Sequence, residues 1–310
     1  MRTDFYYPSR GAGMIHGCRW MPQGNVKGIV QIVHGIGEFV ERYDDLANFF
    51  CQRGILVVAE DHMGHGGSVG DGALWGYFHG GWFAAVEDTY RLMKDTMAEY
   101  PHIPYVLYGH SMGSFMVRTI LCRYPDAGLT GAVICGTGWQ SGATVVAGKA
   151  TTGLVCALFG ERKTSGFLQK LMFGGYTSRI RDPKTKCDWL TRDDAVVAAY
   201  EADSRCGCQI ATAGLLRDLM HGIDYVQRPA NLRRMDRELP LLLIEGACDP
   251  VANYGKAANC LAHALRRVGV ENVTQKTYPQ CRHELHNELN KQEVYDDVLN
   301  WIESIVNSPI

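Results

Sequence analysis

Short apolar runs alternate with amphipathic stretches along this chain, and that alternation limits its fold more than any other feature. Residues 28–35 (GIVQIVHG) and 55–61 (ILVVAED) are continuous apolar runs, typical of strands buried on both faces of a parallel sheet. Between them, residues 41–54 carry apolar side chains at helical spacing and end at a glycine. Strands that alternate with helices predict a parallel sheet covered by helices on both faces. The same pattern predicts strands at 105–110, 131–138, 239–250 and 272–279, and helices at 81–101, 112–125, 253–269 and 287–306.

The alternation is interrupted between Trp139 and Glu238, where the pattern is helical and irregular and no strand is predicted. A structureless loop of that length is uncommon in a compact domain, so the segment is expected to fold. We therefore predict one α/β core formed by residues 1–138 and 239–310, with residues 139–238 inserted as a helical cap. Apolar residues make up 46% of the chain, which is ample for a core of this size.

The composition indicates which kinds of partner and which cellular compartment are expected for this chain. The formal net charge is -2, so no basic excess predicts binding to nucleic acid or to an anionic membrane. No run of about 18 apolar residues occurs, and the first residues lack the apolar segment of a secretory signal. Without a secreted context, the 11 cysteines are interpreted as small, mostly buried thiols of a reducing compartment. These features predict a cytoplasmic protein without a spanning helix.

A serine between two glycines follows the third predicted strand. Residues 109–113 (GHSMG) fit the pattern G-x-S-x-G, and the context is the strand, turn and helix that this pattern requires of a nucleophile. Glycines two positions before and after Ser111 let the strand and the helix approach closely. The helix N-terminus favours negative charge that develops beside the serine. Ser111 is therefore predicted to be a catalytic nucleophile rather than an incidental turn residue.

A serine hydroxyl needs a base, and the base needs an orienting acid, which follow the serine in the order acid and then histidine in such folds. Asp249 comes directly after an apolar strand, and His283 comes soon after the last predicted strand, so both are expected at the edge where Ser111 lies. His286 is a rival base, although it would more naturally enter the last helix. Two earlier carboxylates remain alternatives to Asp249 if the cap boundary is misplaced: Asp218 and Asp224.

The turn after the first buried strand, residues 33–38 (VHGIGE), supplies a candidate oxyanion hole. Its glycines let the chain fold closely enough to aim an amide at a reacting carbonyl. The predicted donors are the backbone N–H groups of Ile36 and of Met112, the residue after the nucleophile. A dinucleotide site is disfavoured because Gly35 and Gly37 lack the third glycine of that motif.

Together these motifs resemble the α/β-hydrolase superfamily, and more closely its monoacylglycerol lipase and lysophospholipase branch, grouped with the serine aminopeptidase-like hydrolases. The matching segments HGIGE, GHSMGS and RHE occur in the branch's order, and the resemblance covers nearly the whole chain. It implies an α/β-hydrolase fold with a mostly parallel central sheet flanked by helices, a helical cap and two-step acyl transfer. The family's nucleophile, acid and base map onto Ser111, Asp249 and His283, and its oxyanion amides map onto Ile36 and Met112.

Two groups of residues in the sequence contain potential metal ligands. Cys206 and Cys208 form a C-x-C pair, but no second pair with zinc-ligand spacing accompanies them. Asp61, His62 and His65 lie in DHMGHGGS, a turn that the resembling family uses structurally. Ester hydrolysis by a serine needs no metal. We therefore predict neither a metal nor a cofactor.

The cap is expected to decide the substrate. Residues 151–176 are rich in Leu, Phe, Val and Met, which would suit apolar walls over an acyl group or ordinary helix packing. Arg162, Lys163 and Lys170 could contact a phosphate headgroup or, transiently, a membrane surface, but charges interspersed on a helix usually face solvent. The candidate substrate-binding residues are Gly35, Trp139, Phe159 and Phe173, with Phe167 and Met172 as further pocket candidates.

The predicted function is hydrolysis of a small-molecule acyl ester, such as a monoacylglycerol, a lysophospholipid or a related ester. A peptidase of the same branch is one alternative, and it would need a group in the cap that binds a free amino terminus. A short-chain or aromatic esterase is another. A non-catalytic binding module is disfavoured because all catalytic positions are present. Acyl chain length, headgroup and oligomeric state are left open by the sequence.

Overall fold

The computed structural model describes residues 1–70 and 73–306, and it contains one twisted sheet of eight strands. The strand order is β1-β2-β4-β3-β5-β6-β7-β8, in which the six strands β3 to β8 run parallel to one another. At one edge β2 pairs antiparallel with β4, and β1 pairs antiparallel with β2. The strands are β1 (Arg2–Pro8), β2 (Met14–Trp20), β3 (Gly28–Val33), β4 (Ile55–Glu60), β5 (Tyr105–His110), β6 (Gly131–Cys135), β7 (Leu241–Gly246) and β8 (Val273–Tyr278).

Ten helices accompany the sheet within the described part of the chain. Five lie between consecutive parallel strands or after the last one, as the alternating pattern predicts. The other five lie between β6 and β7. The helices are α1 (Asp44–Cys51), α2 (Gly81–Glu99), α3 (Met112–Arg123), α4 (Gly142–Phe159), α5 (Gly166–Phe173), α6 (Asp194–Ala202), α7 (Ala213–Gln227), α8 (Pro229–Leu232), α9 (Ala257–Arg266) and α10 (Lys291–Val306).

The predicted α/β fold with a mostly parallel sheet is confirmed, and the six predicted strands are present. The two antiparallel strands at the edge were not predicted. In β1 most side chains are exposed, because the strand has a neighbour on one side only and no helix covers it fully. Such an edge strand lacks the continuous apolar run that made the central strands recognisable.

Two hydrophobic layers cover the sheet, one on each face. Side chains that alternate along a strand point to opposite faces, so Val33 and Leu107 pack in the layer that contains α2, α3 and α7. Ile32 and Tyr108, one residue away along each strand, pack in the layer that contains α1 and α10. The central strands are buried on both faces, and this rigid sheet fixes the loops at its carboxyl edge.

The segment 139–238 contributes no strand to the sheet, in agreement with its helical pattern. It is not a separate lobe, however. The buried side chains of α7 belong to the same hydrophobic layer as those of α2 and α3. The division into a core and a cap therefore stays a prediction about topology, and α7 forms a packed base for the inserted helices.

Helix α4 departs from the expectation that no segment is long and apolar enough to span a membrane. Judged by length and composition alone, its 18 residues meet that description, with a mean hydropathy of 1.4. Only 17% of this stretch is buried inside the protein. The sequence pattern was misleading here because small residues such as Gly, Ala and Thr separate the larger apolar ones.

The close approach of α3 to β3 depends on Gly113. A Cβ atom at this position would lie 1.9 Å from the carbonyl oxygen of Val33. We expect Gly113→Ala to lower the free energy of unfolding by about 3 kcal/mol, the upper end of the range for overpacking. Gly153, inside α4, is the matched control because a Cβ there meets nothing within 4 Å. Gly153→Ala should raise the free energy of unfolding by about 0.5–1 kcal/mol.

Urea denaturation of the two variants and the wild type measures both effects. Equal changes in the two variants would contradict the steric role assigned to Gly113.

Candidate active site

Ser111 occupies the sharp turn between β5 and α3. Its backbone has φ 52° and ψ -119°, a left-handed conformation that is strained for a residue with a side chain. Strain of this kind costs about 1–3 kcal/mol and persists only where the surroundings impose it. The Ser111 N–H donates to the carbonyl oxygen of Cys135 on β6 (3.0 Å), which fixes the turn to the neighbouring strand.

The two glycines of the motif explain how this turn fits. A Cβ at Gly109 would lie 2.7 Å from the carbonyl oxygen of Gly113, so strand and helix meet with no room for a side chain. Gly35, from the turn after β3, lies against the other side of the serine. A Cβ on Gly35 would come within 3.0 Å of the Ser111 Cβ. Gly35 therefore packs directly against the nucleophile, and it is not among the residues that line the cavity described below.

The structure brings Asp249 and His283 together at the carboxyl edge of the sheet. The Nδ1 of His283 donates to the Oδ2 of Asp249 over 2.8 Å, and both side chains are buried. The Oδ1 of Asp249 accepts from the backbone N–H of Val251 (2.8 Å). The His283 ring also lies against Gly136, where a Cβ would come within 3.2 Å of it. This contact holds the ring beside the end of β6, which is also the strand that anchors the Ser111 turn.

The rival acids have other partners. The Oδ2 of Asp224 accepts from the Nζ of Lys149 and from Arg228, both at 2.5 Å. Asp218 pairs with Arg217, and burial raises its pKa to about 6 although the guanidinium lowers it. Within residues 1–70 and 73–306 neither carboxylate is hydrogen-bonded to a histidine, so the structure favours Asp249 among the three candidates.

His286, the rival base, lies beneath the site. Its ring stacks on Tyr43 with centroids 4.3 Å apart, and neither ring nitrogen has a hydrogen-bond partner among the described residues. Burial, together with the nearby His110, lowers the pKa of His286 to about 3. His286 is therefore a neutral packing group, and no carboxylate of the described residues is hydrogen-bonded to its ring.

The proposed oxyanion donors face one cavity together with Ser111. Ile36 and Met112 both line this cavity, and neither backbone N–H has an acceptor within residues 1–70 and 73–306. The turn that carries Ile36 is held at two points. The N–H of Gly35 donates to Glu38 Oε1 (2.5 Å), and the carbonyl oxygen of Gly37 accepts from Gly207 N–H (2.8 Å). Two free amides beside a serine can hold a developing oxyanion.

A buried charge network that sequence reasoning missed supports this turn. Burial alone would raise the pKa of Glu38, but a hydrogen bond from His110 (3.0 Å) and the charge of Arg42 hold it well below its usual range. Burial alone would lower the pKa of His110, and the contact with Glu38 raises it instead. Arg42 also donates two bonds of 2.6 Å to the carboxylate of Glu284. The signal was the spacing of Glu38 and Arg42 by four residues inside an apolar segment.

A cavity of about 650 Å³ opens above Ser111. Its walls come from α4, α5 and α7 and from the loops after β3, β6 and β7. None of its lining side chains is charged, counted over the part of the chain that the structure describes. The larger lining side chains are Phe115, Leu168, Leu171, Met172, Phe173, Tyr176, Trp189, Leu219, Met220 and Ile223.

The predicted pocket residues fall into two groups. Phe173 and Met172 line the cavity, as expected. Phe159 and Phe167 do not, because they lie on the outer faces of α4 and α5 with exposures of 64% and 62%. Trp139 does not line the cavity either; its ring packs against the guanidinium of the buried Arg118. Its neighbour Gly138 does line the cavity. Composition could not tell the inner from the outer face of these helices.

The sequence profile of the family described as serine aminopeptidase, S33 matches residues 24–290. The chain belongs to this family. A monoacylglycerol lipase of Mycolicibacterium smegmatis is 32% identical over 92% of this chain and 91% of its own length. A mouse monoglyceride lipase is 28% identical over 94% of this chain and 87% of its own. A carboxyl esterase from Bacillus coagulans, solved in complex with glycerol, superposes with a TM-score of 0.91 at 28% identity, covering 98% of this chain and 99% of its own. The predicted superfamily and branch are confirmed.

Because His286 is buried without hydrogen bonds, its protonation should destabilise the fold. Its pKa of about 3 in the folded protein lies below the usual value of 6.5, so between these values the unfolded chain binds a proton that the folded chain does not. Stability therefore falls as the pH falls through this range, by up to about 1.4 kcal/mol per pH unit for one such group. His286→Phe keeps the stacking on Tyr43 and should reduce that slope between about pH 6 and pH 4.

The check is urea denaturation of wild type and variant at several pH values. His263→Gln, at an exposed position of α9, serves as the control substitution. An unchanged slope in His286→Phe would show that this histidine does not stay neutral in the folded protein.

Proposed function

We propose that this carboxylic ester hydrolase cleaves monoacylglycerols with medium or long acyl chains. The observation that carries the proposal is the uncharged, largely apolar cavity above Ser111. A fatty acyl chain gains about 0.8 kcal/mol for each methylene that such walls bury. The relatives named monoacylglycerol lipase and the esterase solved with glycerol support a glycerol ester as the substrate.

The mechanism follows from the arrangement of the site. Ser111 attacks the ester carbonyl while His283 takes its proton, and Asp249 orients the imidazole and stabilises its charged form. The amides of Ile36 and Met112 hold the oxyanion of the tetrahedral intermediate. His283 then protonates the leaving glycerol, and water repeats the sequence on the acyl-enzyme.

The absence of charge in the cavity lining favours glycerol esters over the other substrates of this branch. A lysophospholipid headgroup needs a cation, and the cations Arg162 and Lys163 line a different groove, beside Leu74 and Trp75. A peptidase needs a carboxylate that binds the amino terminus, and no carboxylate lines the cavity among the described residues. A monoacylglycerol is neutral, so it brings neither a charged headgroup nor a charged amino terminus into the uncharged cavity.

The inserted helices of residues 139–238 act as a cap that collects substrate from a lipid surface. Helix α4 lines the cavity with Thr144, Ala147 and Thr151, and it turns large apolar side chains to solvent on its other face. An exposed apolar surface of this kind is typical of a site that contacts lipid or a partner. We propose that the protein is cytoplasmic and contacts membranes transiently through these side chains. The exposed apolar side chains of α4 and α5 are Val146, Leu154, Leu158, Phe159, Phe167 and Leu171.

The preference for a neutral glycerol ester is tested by comparing turnover of a monoacylglycerol, a lysophosphatidylcholine and an amino-acid anilide. With one acyl chain of medium or long length, we expect the monoacylglycerol to be hydrolysed faster than the matching lysophosphatidylcholine. An alanine p-nitroanilide should not be cleaved. Ser111→Ala should abolish all turnover. Preference for the lysophospholipid or the anilide would contradict the argument from the uncharged cavity, and residual activity in Ser111→Ala would contradict the nucleophile.

The acid is tested separately from the substrate. Asp249→Asn should lower kcat by about 10⁴-fold, because the imidazole loses the group that fixes its tautomer. Asp224→Asn is the matched control, since that carboxylate contacts only basic side chains on the surface of the inserted helices. Circular dichroism checks folding in both. Near-normal turnover in Asp249→Asn would move the acid elsewhere.

A further inference from the structure

Three potential metal ligands meet on one face of the β1–β2 hairpin, far along the sheet from β7 and β8. Asp4 and Cys18 are directly paired across the two strands, and His16 lies two residues before Cys18 on the same face. The Cys18 Sγ is 3.1 Å from the Asp4 Oδ1 and 3.9 Å from the His16 Nε2. The His16 Nε2 is 3.7 Å from the same carboxylate oxygen. The three donor atoms thus form a small triangle.

The orientation of the histidine is fixed from behind. The Nδ1 of His16 donates to the Asp61 Oδ2 over 2.7 Å, which leaves Nε2 directed at Cys18 and Asp4. Asp61 is itself held in place, because it accepts from the backbone N–H groups of Val40 (2.8 Å) and Gly67 (2.7 Å). A carboxylate that orients a histidine in this way is the usual outer partner of a metal-ligating imidazole.

We propose that Asp4, His16 and Cys18 bind a divalent zinc ion. Thiolate, imidazole and carboxylate are the ligands that Zn²⁺ takes in proteins, and tetrahedral bonds of normal length place such donor atoms about 3.3–3.6 Å apart. The three observed separations are within a few tenths of an ångström of that range. The half-exposed side chain of Asp4 leaves an open side on which water completes the coordination.

The charges around the site suit a dication. Binding forms a Zn–S bond and releases the thiol proton of Cys18 to solvent, so the ligand set carries two negative charges, and Asp61 adds a third behind the histidine. The one cation nearby is Arg2, counted over residues 1–70 and 73–306. Its Nε lies 3.9 Å from the Asp4 Oδ1, but its guanidinium is paired with Glu41 and Asp44.

The zinc has no part in the proposed ester hydrolysis. It joins β1 to β2 at the edge of the sheet, where no helix covers the strands fully. Through Asp61 it also connects this hairpin to Val40, which follows the turn that carries Ile36. The ion therefore acts as a structural clamp on the antiparallel edge.

Cobalt titration of chelator-treated protein tests the site directly. We expect a thiolate-to-cobalt charge-transfer band that saturates at one Co²⁺ per chain and is displaced by Zn²⁺. Cys18→Ser and Asp4→Asn should lose the band, and the half-exposed position of Asp4 makes the second variant safe for folding. Cys260→Ser, at an exposed cysteine of α9, is the matched control and should keep it. Saturating Zn²⁺ should raise the Tm of the wild type and not of Asp4→Asn.

Two outcomes would overturn the proposal. One is a wild type without a saturable band, which would leave the cluster as a hydrogen-bonded group of side chains. The other is a band that persists in Cys18→Ser, which would place the metal elsewhere. Asp61→Asn should weaken Co²⁺ binding by about 10–100-fold, and unchanged affinity would contradict the orienting contact. Ester hydrolysis is measured in parallel, and its result does not bear on the metal.

Discussion

The strained turn at Ser111 is the constraint on which the rest of the site depends. Ser111 holds a positive φ because its neighbours leave the turn no other conformation. On one side, Gly113 of α3 packs against β3, and Gly109 of β5 packs against Gly113. On the other side, the Ser111 N–H is hydrogen-bonded to Cys135 of β6. The sheet is buried on both faces, so these backbones cannot relax apart. The same packing that costs conformational energy keeps the Ser111 side chain in a fixed position at the edge of the cavity.

A second constraint acts on the turn that carries Ile36. The amide of Ile36 is our proposed oxyanion donor, and a donor of this kind has to be held rigidly toward the reacting oxygen. Glu38 supplies that support by accepting from Gly35, and the buried charges of His110 and Arg42 keep this carboxylate ionised. Breaking a buried pair of this kind typically costs about 3–5 kcal/mol. Part of the fold's polar core therefore supports the turn that carries the proposed oxyanion donor.

The sequence was informative wherever local pattern and tertiary position coincide. Buried strands give continuous apolar runs, and the loops after them carry Ser111, Asp249 and His283, so the family, the sheet and these candidates could be predicted. The sequence was uninformative about which face of a helix lines the cavity. Phe159, for example, was a predicted pocket residue, but its side chain is exposed to solvent. Ligand spacing along the chain does not reveal the Asp4 cluster, because strand pairing brings Asp4 beside Cys18. The buried network beneath the turn was missed because His110 and Glu284, which complete it, are distant in sequence from Glu38 and Arg42.

The central claim is that Ser111 is an activated nucleophile at the foot of an apolar acyl cavity. Two p-nitrophenyl phosphonates, one with a long alkyl chain and one with a methyl group, test the nucleophile and the cavity together. Intact-mass and peptide mass spectrometry measure the rate of labelling and identify the labelled residue. The account predicts one adduct per chain, located on Ser111, and faster labelling by the long-chain reagent. Labelling at another residue, or equal rates for the two reagents, would contradict it.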